Sequence, residues 1–306
     1  MKQFFHTIRA PFFTATATST ILGTAIAWHD GYLNLWYFLL TFLGVICANA
    51  GINTANDYYD HLSTDDAINL ELTPFSGGSR VIQDGIASPR RMLMLSLIFF
   101  ALTVLIGLYL SWTRGWPVLA IGLAAMFICY FYDAPPIKLA YRGHGLGELT
   151  TGLAAGPLAV CGAYYVQAQT ITSPAVWASV PIGILTALIL YINEYPDYVA
   201  DKAAGKQTLV VVMGKKKAVP GYIILLACVY IIVVIGTAVG TLPYAALLAM
   251  FSLPQAYRSV QGLCRYYDQT PQLIPAQAAT IKLHLFTAIL LTGGYLIDIA
   301  ISHVGW

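Results

Sequence analysis

Long apolar runs alternate with short polar connections along the whole chain, and their lengths indicate the fold class. A transmembrane helix needs about 20 consecutive apolar residues, and nine segments of the sequence approach or reach that length. The eighth is short and contains Pro243 and Pro254, which makes it the weakest of the nine. The predicted spans are 9–28, 34–55, 92–112, 117–132, 147–167, 174–193, 219–239, 242–257 and 280–300.

The composition agrees with this pattern. The chain has 306 residues, of which 58% are hydrophobic and only 10% are charged, whereas soluble domains carry roughly 25% charge. Arg9 and Pro11 interrupt the first apolar stretch, so we interpret it as a retained helix and not as a signal peptide. No acidic or basic tail indicates nucleic-acid binding, and no feature points to an obligate protein partner. The sequence therefore predicts an integral, multi-pass membrane protein.

The basic residues predict its orientation. With nine spans, fifteen of the sixteen Lys and Arg residues fall on one side and only Arg114 falls on the other. Because cytoplasmic loops carry an excess of Lys and Arg, we expect the N-terminus in the cytoplasm of a bacterial or archaeal cell, at its inner membrane. The long connections share that side, and long loops commonly carry function, so the active site is expected there. Residues 1–306 are predicted to form one domain with cytoplasmic cap loops near 56–91, 133–146, 194–218 and 258–279.

A short polar motif occurs twice, 140 positions apart. "INTANDYYD" at 52–60 aligns with "INEYPDYVAD" at 192–201, and each copy lies at the cytoplasmic end of an even-numbered predicted span. Such self-similarity hints at an old duplication, although one short match is weak evidence for a repeat. The aligned pairs are Asn53 with Asn193, Asp57 with Asp197, and Tyr58 with Tyr198.

If each helix continues past its span, the amides and carboxylates of a motif are three or four residues apart and share one face. Pro196 can bend or interrupt the second helix. Oxygen ligands suit Mg²⁺, which favours one or two carboxylates together with substrate phosphates. Two facing acidic clusters therefore predict Mg²⁺ ions that hold a diphosphate. The predicted metal-binding and catalytic residues are Asp57, Asp60, Asp197 and Asp201, and the predicted substrate-binding amides are Asn53, Asn56 and Asn193.

A diphosphate also needs cations from the protein. Arg80 follows Gly77 and Gly78, where the backbone can approach a ligand closely. The alternative is that these cations only satisfy the orientation rule, and the roles of Asp65, Asp66 and Glu148 stay open, since each can equally be a capping, solvated or buried hydrogen-bonded group. The predicted phosphate-binding residues are Arg80, Lys138, Arg142 and Lys202.

Three segments in a fixed order resemble the UbiA-type intramembrane prenyltransferases. "NDYYDHLSTDD" resembles their first aspartate-rich motif and "NEYPDYVADKAAGKQTLVVVMG" their second, while "YFYDAPPIKLAYRGHGLGEL" resembles the loop between them. The resemblance implies an all-helical fold with nine spans around a central cavity, capped by cytoplasmic loops. It also implies Mg²⁺-dependent transfer of a polyprenyl chain from its diphosphate to an aromatic ring.

Within that superfamily the chain looks most like the 1,4-dihydroxy-2-naphthoate polyprenyltransferases of menaquinone synthesis, because of the spacing from Asp60 to Asp66 and the segment "PFSGGSRVI". The segment "NEYPD" departs from the form common in the naphthoate enzymes. Other acceptors therefore stay open, of the 4-hydroxybenzoate, homogentisate or glycerol-phosphate type, and so does terpene cyclisation. A cation-coupled transporter is the alternative from another class, since intramembrane acids and internal repeats also mark carriers.

Overall fold

The computed structural model describes residues 2–63 and 68–304, and within these ranges the chain is helical with no β-strand apart from one isolated bridge between Thr73 and Ser76. Short 3₁₀ turns cover Ala10–Phe12, Leu139–Tyr141 and Tyr244–Ser252. The helices are α1 Lys2–Thr7, α2 Phe13–His29, α3 Leu35–Leu62, α4 Pro89–Arg114, α5 Trp116–Phe131, α6 Leu146–Ala168, α7 Ser173–Ala204, α8 Leu209–Met213, α9 Lys215–Ala238, α10 Leu253–Tyr266 and α11 Thr270–Val304.

Six of these helices, α3, α4, α6, α7, α9 and α11, are long and apolar enough to cross a membrane, and α5 is a shorter apolar helix. The first predicted span is divided at Arg9, whose left-handed backbone (φ 53°) separates α1 from α2. The eighth is divided between a 3₁₀ turn and α10, next to Pro243 and Pro254. The all-helical membrane fold is confirmed, while the count of nine spans stays a prediction.

Both acidic motifs are helical, as the spacing argument required. α3 continues to Leu62, and α7 continues through Pro196 to Ala204, where Gly205 in the left-handed conformation (φ 84°) ends it. The predicted cap loops are consequently shorter than expected. The segment 258–279 differs most, because α10 and α11 leave only three residues between them.

The half of the molecule around α7 is tightly packed. Side chains of α2, α6, α7 and α11 form one buried core, and side chains of α7, α9, α10 and α11 form a second. α6 and α7 approach closely at Gly156, where an added Cβ would lie 2.5 Å from the backbone of Gly183. Small residues permit such contacts between membrane helices, and the contact fixes the position of α7 against α6.

The other half is more open. α3 is tied to α4 by side-chain bonds, as the Ser96 hydroxyl donates to the Gly51 carbonyl (3.0 Å) and the Thr103 hydroxyl to the Gly44 carbonyl (3.3 Å). α5 buries none of its residues. A cavity remains between α2, α3, α4, α5, α6 and α7. We call the end of the bundle with Asp57 and Asp197 the motif end, and the end with Arg114 and Gln167 the distal end.

Candidate functional site

The cavity has a volume of about 960 Å³ and a polar motif end. A volume of this size is in the upper part of the range for small-molecule sites. Six residues that the sequence predicts for the site line it. They are Asn53, Asn56, Asp60, Asn193, Asp197 and Asp201.

Asp57 and Asp60 lie one turn apart on α3 and are both buried. Asp57 accepts hydrogen bonds from the Ser79 backbone N–H (3.2 Å) and from the Ser79 hydroxyl, and Arg9 Nη1 lies 3.7 Å from its Oδ1. Asp60 accepts from Lys206 Nζ (2.7 Å) and from the Asn56 amide (2.9 Å). Buried carboxylates are stable when cations and hydrogen-bond donors surround them in this way.

Asp133, in the loop after α5, is a third buried carboxylate near Asn56. The Asn56 amide donates to its Oδ2 (2.5 Å), and Lys206 Nζ lies 3.8 Å from its Oδ1. The side-chain Oδ1 of Asn56 accepts a hydrogen bond from Arg9 Nη1 (2.9 Å). Arg9, Lys206 and Asn56 therefore link the first acidic motif to the N-terminal segment, to the loop after α7 and to the loop after α5.

Side-chain amides contact the second motif. Asp197 accepts a hydrogen bond from the Asn69 amide (2.7 Å), and Asp201 is buried at the cavity wall. Asn193 donates to the Phe75 carbonyl (2.9 Å) and accepts from the Gln277 amide (2.9 Å). Asn193 is thus fixed by two partners from distant parts of the chain.

The two motifs meet at one end of the cavity. Lys206 follows α7 by two residues, its backbone N–H donates to the Asp201 carbonyl (2.8 Å), and its side chain binds Asp60 of α3. The segment after α3 contacts both motifs as well, through Asn69 at Asp197 and through Ser79 at Asp57. The chain therefore brings the tips of α3 and α7 together.

Four predicted phosphate-binding cations are not among the residues that line the cavity. Lys138 lies 4.6 Å from the centre of the Tyr141 ring, and Lys202 is exposed over the Tyr198 ring. Arg142 is exposed and donates to the carbonyls of the loop before it. Arg80 is half-buried with a left-handed backbone (φ 63°) directly after Ser79. Their roles stay predictions.

Tyr141 lies close to Lys138 and to a cation of the acidic cluster. The centre of its ring lies 5.8 Å from Nζ of Lys206, which is the cation that pairs with Asp60. Burial raises the pKa of Tyr141 to about 12, although the Lys206 cation acts in the opposite direction. The phenol therefore stays protonated at neutral pH and offers an O–H donor beside the site.

Several residues that build the site were not predicted from the sequence. Arg9 was considered only as a charge that interrupts an apolar run, and Lys206 was not among the predicted phosphate-binding residues. Asp133 carried a signal, since it is the carboxylate at the end of an apolar span in "YDAPP". Asn69 and Ser79 carried none, because polar loop residues are common.

Glu148 is a buried hydrogen-bonded group and does not line the cavity. Its Oε1 accepts from the Leu209 N–H (2.6 Å), while Oε2 of Glu194 accepts from the Val210 N–H (3.3 Å). These two carboxylates hold the start of α8 and thereby the loop that presents Lys206. Asp65 and Asp66 lie outside the described residues.

The donor set at the motif end fits Mg²⁺. Aspartate carboxylates and asparagine amides are the oxygen ligands that hard cations take. Within residues 2–63 and 68–304, no three His, Cys, Asp or Glu side chains are grouped closely enough to hold a metal ion by themselves. Mg²⁺ commonly binds through one or two carboxylates plus substrate phosphates, and Asp60, Asp197 and Asp201 line the cavity.

Residues 17–291 match the model of the UbiA prenyltransferase family. A 2-carboxy-1,4-naphthoquinone phytyltransferase of Synechocystis sp. is 31% identical, over 96% of this chain and 93% of that protein. A 1,4-dihydroxy-2-naphthoate octaprenyltransferase of Bacillus subtilis is 28% identical, over 93% and 89%.

The fold is also similar to solved structures. A UbiA homologue from Archaeoglobus fulgidus bound to DMAPP and Mg²⁺ superimposes with a TM-score of 0.66 at 18% identity, over 95% of this chain and 99% of that one. An apo UbiA homologue from Aeropyrum pernix gives a TM-score of 0.67 at 18% identity, over 93% and 98%. At this identity the likeness concerns the fold alone.

Proposed function

We propose a substrate pair for this chain, which belongs to the UbiA prenyltransferase family. It transfers a polyprenyl group from a prenyl diphosphate to an aromatic acceptor, and the acceptor is 1,4-dihydroxy-2-naphthoate or a close naphthoate. The named activities of the Synechocystis and Bacillus subtilis relatives support the acceptor. The A. fulgidus structure with DMAPP and Mg²⁺ supports the donor class and the metal.

One observation carries the proposal, namely that a single cavity joins the acidic motif end to a long apolar interior. A prenyl diphosphate has the same two parts, a highly charged head and a hydrocarbon tail. A cation-coupled carrier places its acids near the midplane of the membrane, whereas these acids lie at helix ends. The geometry therefore favours a transferase over a transporter.

The catalytic step follows from the charges. Asp57, Asp60, Asp197 and Asp201 would hold Mg²⁺, whose positive charge neutralises the leaving diphosphate. Arg9 and Lys206, which line the same end of the cavity, supply two further cations to the diphosphate oxygens. Asn53 and Asn193 orient these ligands. Arg80, Lys138, Arg142 and Lys202 would attract the donor from outside the cavity.

Bond changes in the transfer balance without a redox partner. The allylic C–O bond breaks and the diphosphate leaves with the electron pair. The electron-rich ring carbon attacks the resulting allylic cation, a new C–C bond forms, and the carboxyl group of the acceptor leaves as CO₂. The apolar walls exclude water, which would otherwise capture the cation.

The membrane orientation is part of the proposal. The distribution of Lys and Arg supports an inner-membrane protein whose motif end faces the cytoplasm. Diphosphate donors and a charged naphthoate would then reach the site from the aqueous side, while the product leaves into the bilayer.

An acceptor panel tests the function. The purified protein in lipid nanodiscs is incubated with Mg²⁺, octaprenyl diphosphate and, separately, 1,4-dihydroxy-2-naphthoate, 4-hydroxybenzoate or homogentisate. We expect a decarboxylated prenyl naphthoquinol and release of diphosphate only with the naphthoate. Transfer to another acceptor would overturn the acceptor assignment. Diphosphate release with no acceptor present would indicate a cyclase and would overturn the transfer reaction itself.

A further inference from the structure

A row of polar side chains follows one face of α3 from the acids towards the distal end. We call Asn49, Asn53, Asn56 and Asp60 the polar ladder, and all four line the cavity. They are spaced four, three and four residues apart, so they share one face of the helix. Asn49 is the distal member, and it lies about 12 Å from Asp57 along the axis of α3.

Hydrogen bonds to the preceding segments orient the distal amides of the ladder. Asn53 donates to the Ile8 carbonyl (3.1 Å) and to Oδ1 of Asn49 (3.0 Å). Asn49 donates in turn to the Thr16 hydroxyl of α2 (2.9 Å). Thr16 directs its own hydroxyl hydrogen to the Phe13 carbonyl (3.3 Å). These bonds fix which way the Asn49 amide is turned.

Asn49 can make more hydrogen bonds than these partners provide. An amide side chain has two N–H donors and two carbonyl lone pairs. Within residues 2–63 and 68–304, the side-chain partners of Asn49 are Thr16, which takes one donor, and Asn53, which takes one lone pair. Asn49 is half-buried at the cavity wall. One N–H and one lone pair are therefore available to a molecule in the cavity.

The polarity of the two reactants indicates which molecule this is. The polar part of the donor is its diphosphate, which the proposed function places with Mg²⁺ at the acids, and the rest of the donor is hydrocarbon. Asn49 lies about two helical turns from Asp57, too far to share that diphosphate through a hydrogen bond. The aromatic acceptor is the other polar reactant, and its hydroxyl groups both donate and accept, as the Asn49 amide does.

We infer that Asn49 binds a ring hydroxyl of the aromatic acceptor and thereby holds the acceptor on the distal side of the diphosphate. The inference rests on the proposed function. In 1,4-dihydroxy-2-naphthoate the 1-hydroxyl is next to the carboxylate and can form an internal hydrogen bond with it, so the 4-hydroxyl is the one that needs a partner from the protein. Thr16 is a positioning residue, because it orients the Asn49 amide.

The test compares two acceptors that differ by one hydroxyl. Turnover of 1,4-dihydroxy-2-naphthoate with octaprenyl diphosphate gives kcat/KM. 1-Hydroxy-2-naphthoate lacks the 4-hydroxyl, and its Ki as a competitive inhibitor of that reaction is measurable whether or not it is prenylated. The principal variant is Asn49→Ala. Hydrogen bonds between membrane helices contribute modestly to stability, so this variant is expected to fold.

We expect Asn49→Ala to lower kcat/KM for 1,4-dihydroxy-2-naphthoate about tenfold, the effect of losing one hydrogen bond. The Ki of 1-hydroxy-2-naphthoate should stay within about twofold of the wild-type value, because this ligand has no 4-hydroxyl to lose a partner. The KM for octaprenyl diphosphate should also stay within about twofold, since Asn49 is assigned no contact with the donor.

Thr16→Val gives a second variant that leaves Asn49 in place. It removes the hydroxyl that orients the amide, so the same kcat/KM should fall about threefold, and Thr16→Ser should restore it. Thr18→Val is the matched control, because Thr18 is on the same helix, donates to the Thr14 carbonyl (2.9 Å) and is not among the residues that line the cavity. The control should change neither kcat/KM nor Ki.

Three results would overturn the inference. An unchanged kcat/KM in Asn49→Ala would show that the amide does not contact the acceptor. Equal losses of kcat/KM and of inhibitor affinity would show that Asn49 serves only the packing of α2 against α3. A rise in KM for octaprenyl diphosphate alone would assign the amide to the donor. If the wild type uses no naphthoate, the proposed function fails and the inference with it, which is distinguishable because the other three results require an active wild type.

Discussion

The tips of α3 and α7 carry the same short motif, yet their surroundings differ. Eighteen of the 32 residues of α7 are buried, against nine of 28 in α3, so α7 is the central support and α3 borders the open cavity. At the tip of α3, Asp57 and Asp60 contact Arg9 and Lys206. At the tip of α7, Asp197 is bound by the amide of Asn69.

This difference shows how one protein can keep several carboxylates together. The cations at the first motif offset the cost of burying Asp57 and Asp60 before any metal binds. Both cations come from distant segments, and Lys206 belongs to the loop after α7 itself. The loop that follows the second motif therefore supplies the counterion of Asp60 in the first, and the two tips act as one unit.

The largest expected effect concerns whether both motifs are needed. Asp57→Asn and Asp201→Asn should each lower kcat by about 10³-fold or more, because each removes a charge that holds the metal at the leaving diphosphate. Turnover with octaprenyl diphosphate and the naphthoate measures it. Asp84→Asn, in an exposed loop, is the control and should retain full activity. Full activity in either motif variant would leave only one motif with a catalytic role.

Lys206 should matter for stability as well as for catalysis. Lys206→Met removes the cation that binds the buried Asp60 at 2.7 Å, so the free energy of unfolding should fall by about 3 kcal/mol. Lys202→Met, four residues away and exposed, should change it by less than about 0.5 kcal/mol. Unfolding in detergent gives both values.

A second variant makes this prediction specific to the ion pair. Lys206→Met combined with Asp60→Asn removes both charges, and we expect it to recover most of the lost stability without recovering turnover. If the double variant loses as much stability as Lys206→Met and Asp60→Asn lose in sum, the two side chains are not energetically coupled. The ion pair would then not be what stabilises the buried Asp60.

The side-chain donors at the two motifs offer a subtler comparison. Asn69→Ala removes the amide at Asp197 and should raise KM for the donor about tenfold, because hydrogen bonds to charged groups contribute about 1.5 kcal/mol or more. Ser79→Ala leaves the backbone N–H at Asp57, so about a threefold rise is expected. The reverse order would contradict a contribution of the Asn69 amide to donor binding through Asp197.

The smallest effect concerns metal binding without substrate. Because Arg9 and Lys206 already contact the first motif, Mg²⁺ alone should shift the melting temperature by no more than about 1 °C. Mg²⁺ with pyrophosphate should raise it by several degrees, at about 2–4 °C per kcal/mol of binding free energy. EDTA should reverse the shift and stop turnover. An equally large shift with Mg²⁺ alone would show that the carboxylates bind metal without phosphate.

The lengths of the apolar runs and the motif spacing were sufficient to predict the helical membrane fold and the carboxylate and amide faces. Asn53 and Asp60 share the site-facing side of α3 because helical spacing is a local property. Lengths of surface helices were harder to predict, as α10 lies in a segment that also fits a span broken by proline.

The cations of the site could not be ranked from sequence. Arg9 is 47 positions from Asn56 and Lys206 is 146 positions from Asp60, so only the tertiary fold pairs them. Arg80 and Lys138 were favoured for their glycine- and proline-shaped loops. Such loops allow a close approach to a ligand but do not determine which way a long side chain points.

The most direct test is a structure of the protein with Mn²⁺ in place of Mg²⁺ and an unreactive prenyl thiodiphosphate, with the metals located by anomalous scattering. The account predicts manganese peaks at both Asp57–Asp60 and Asp197–Asp201, bridged by one diphosphate near Lys206. Metal at one motif alone, or a diphosphate bound away from both tips, would contradict it.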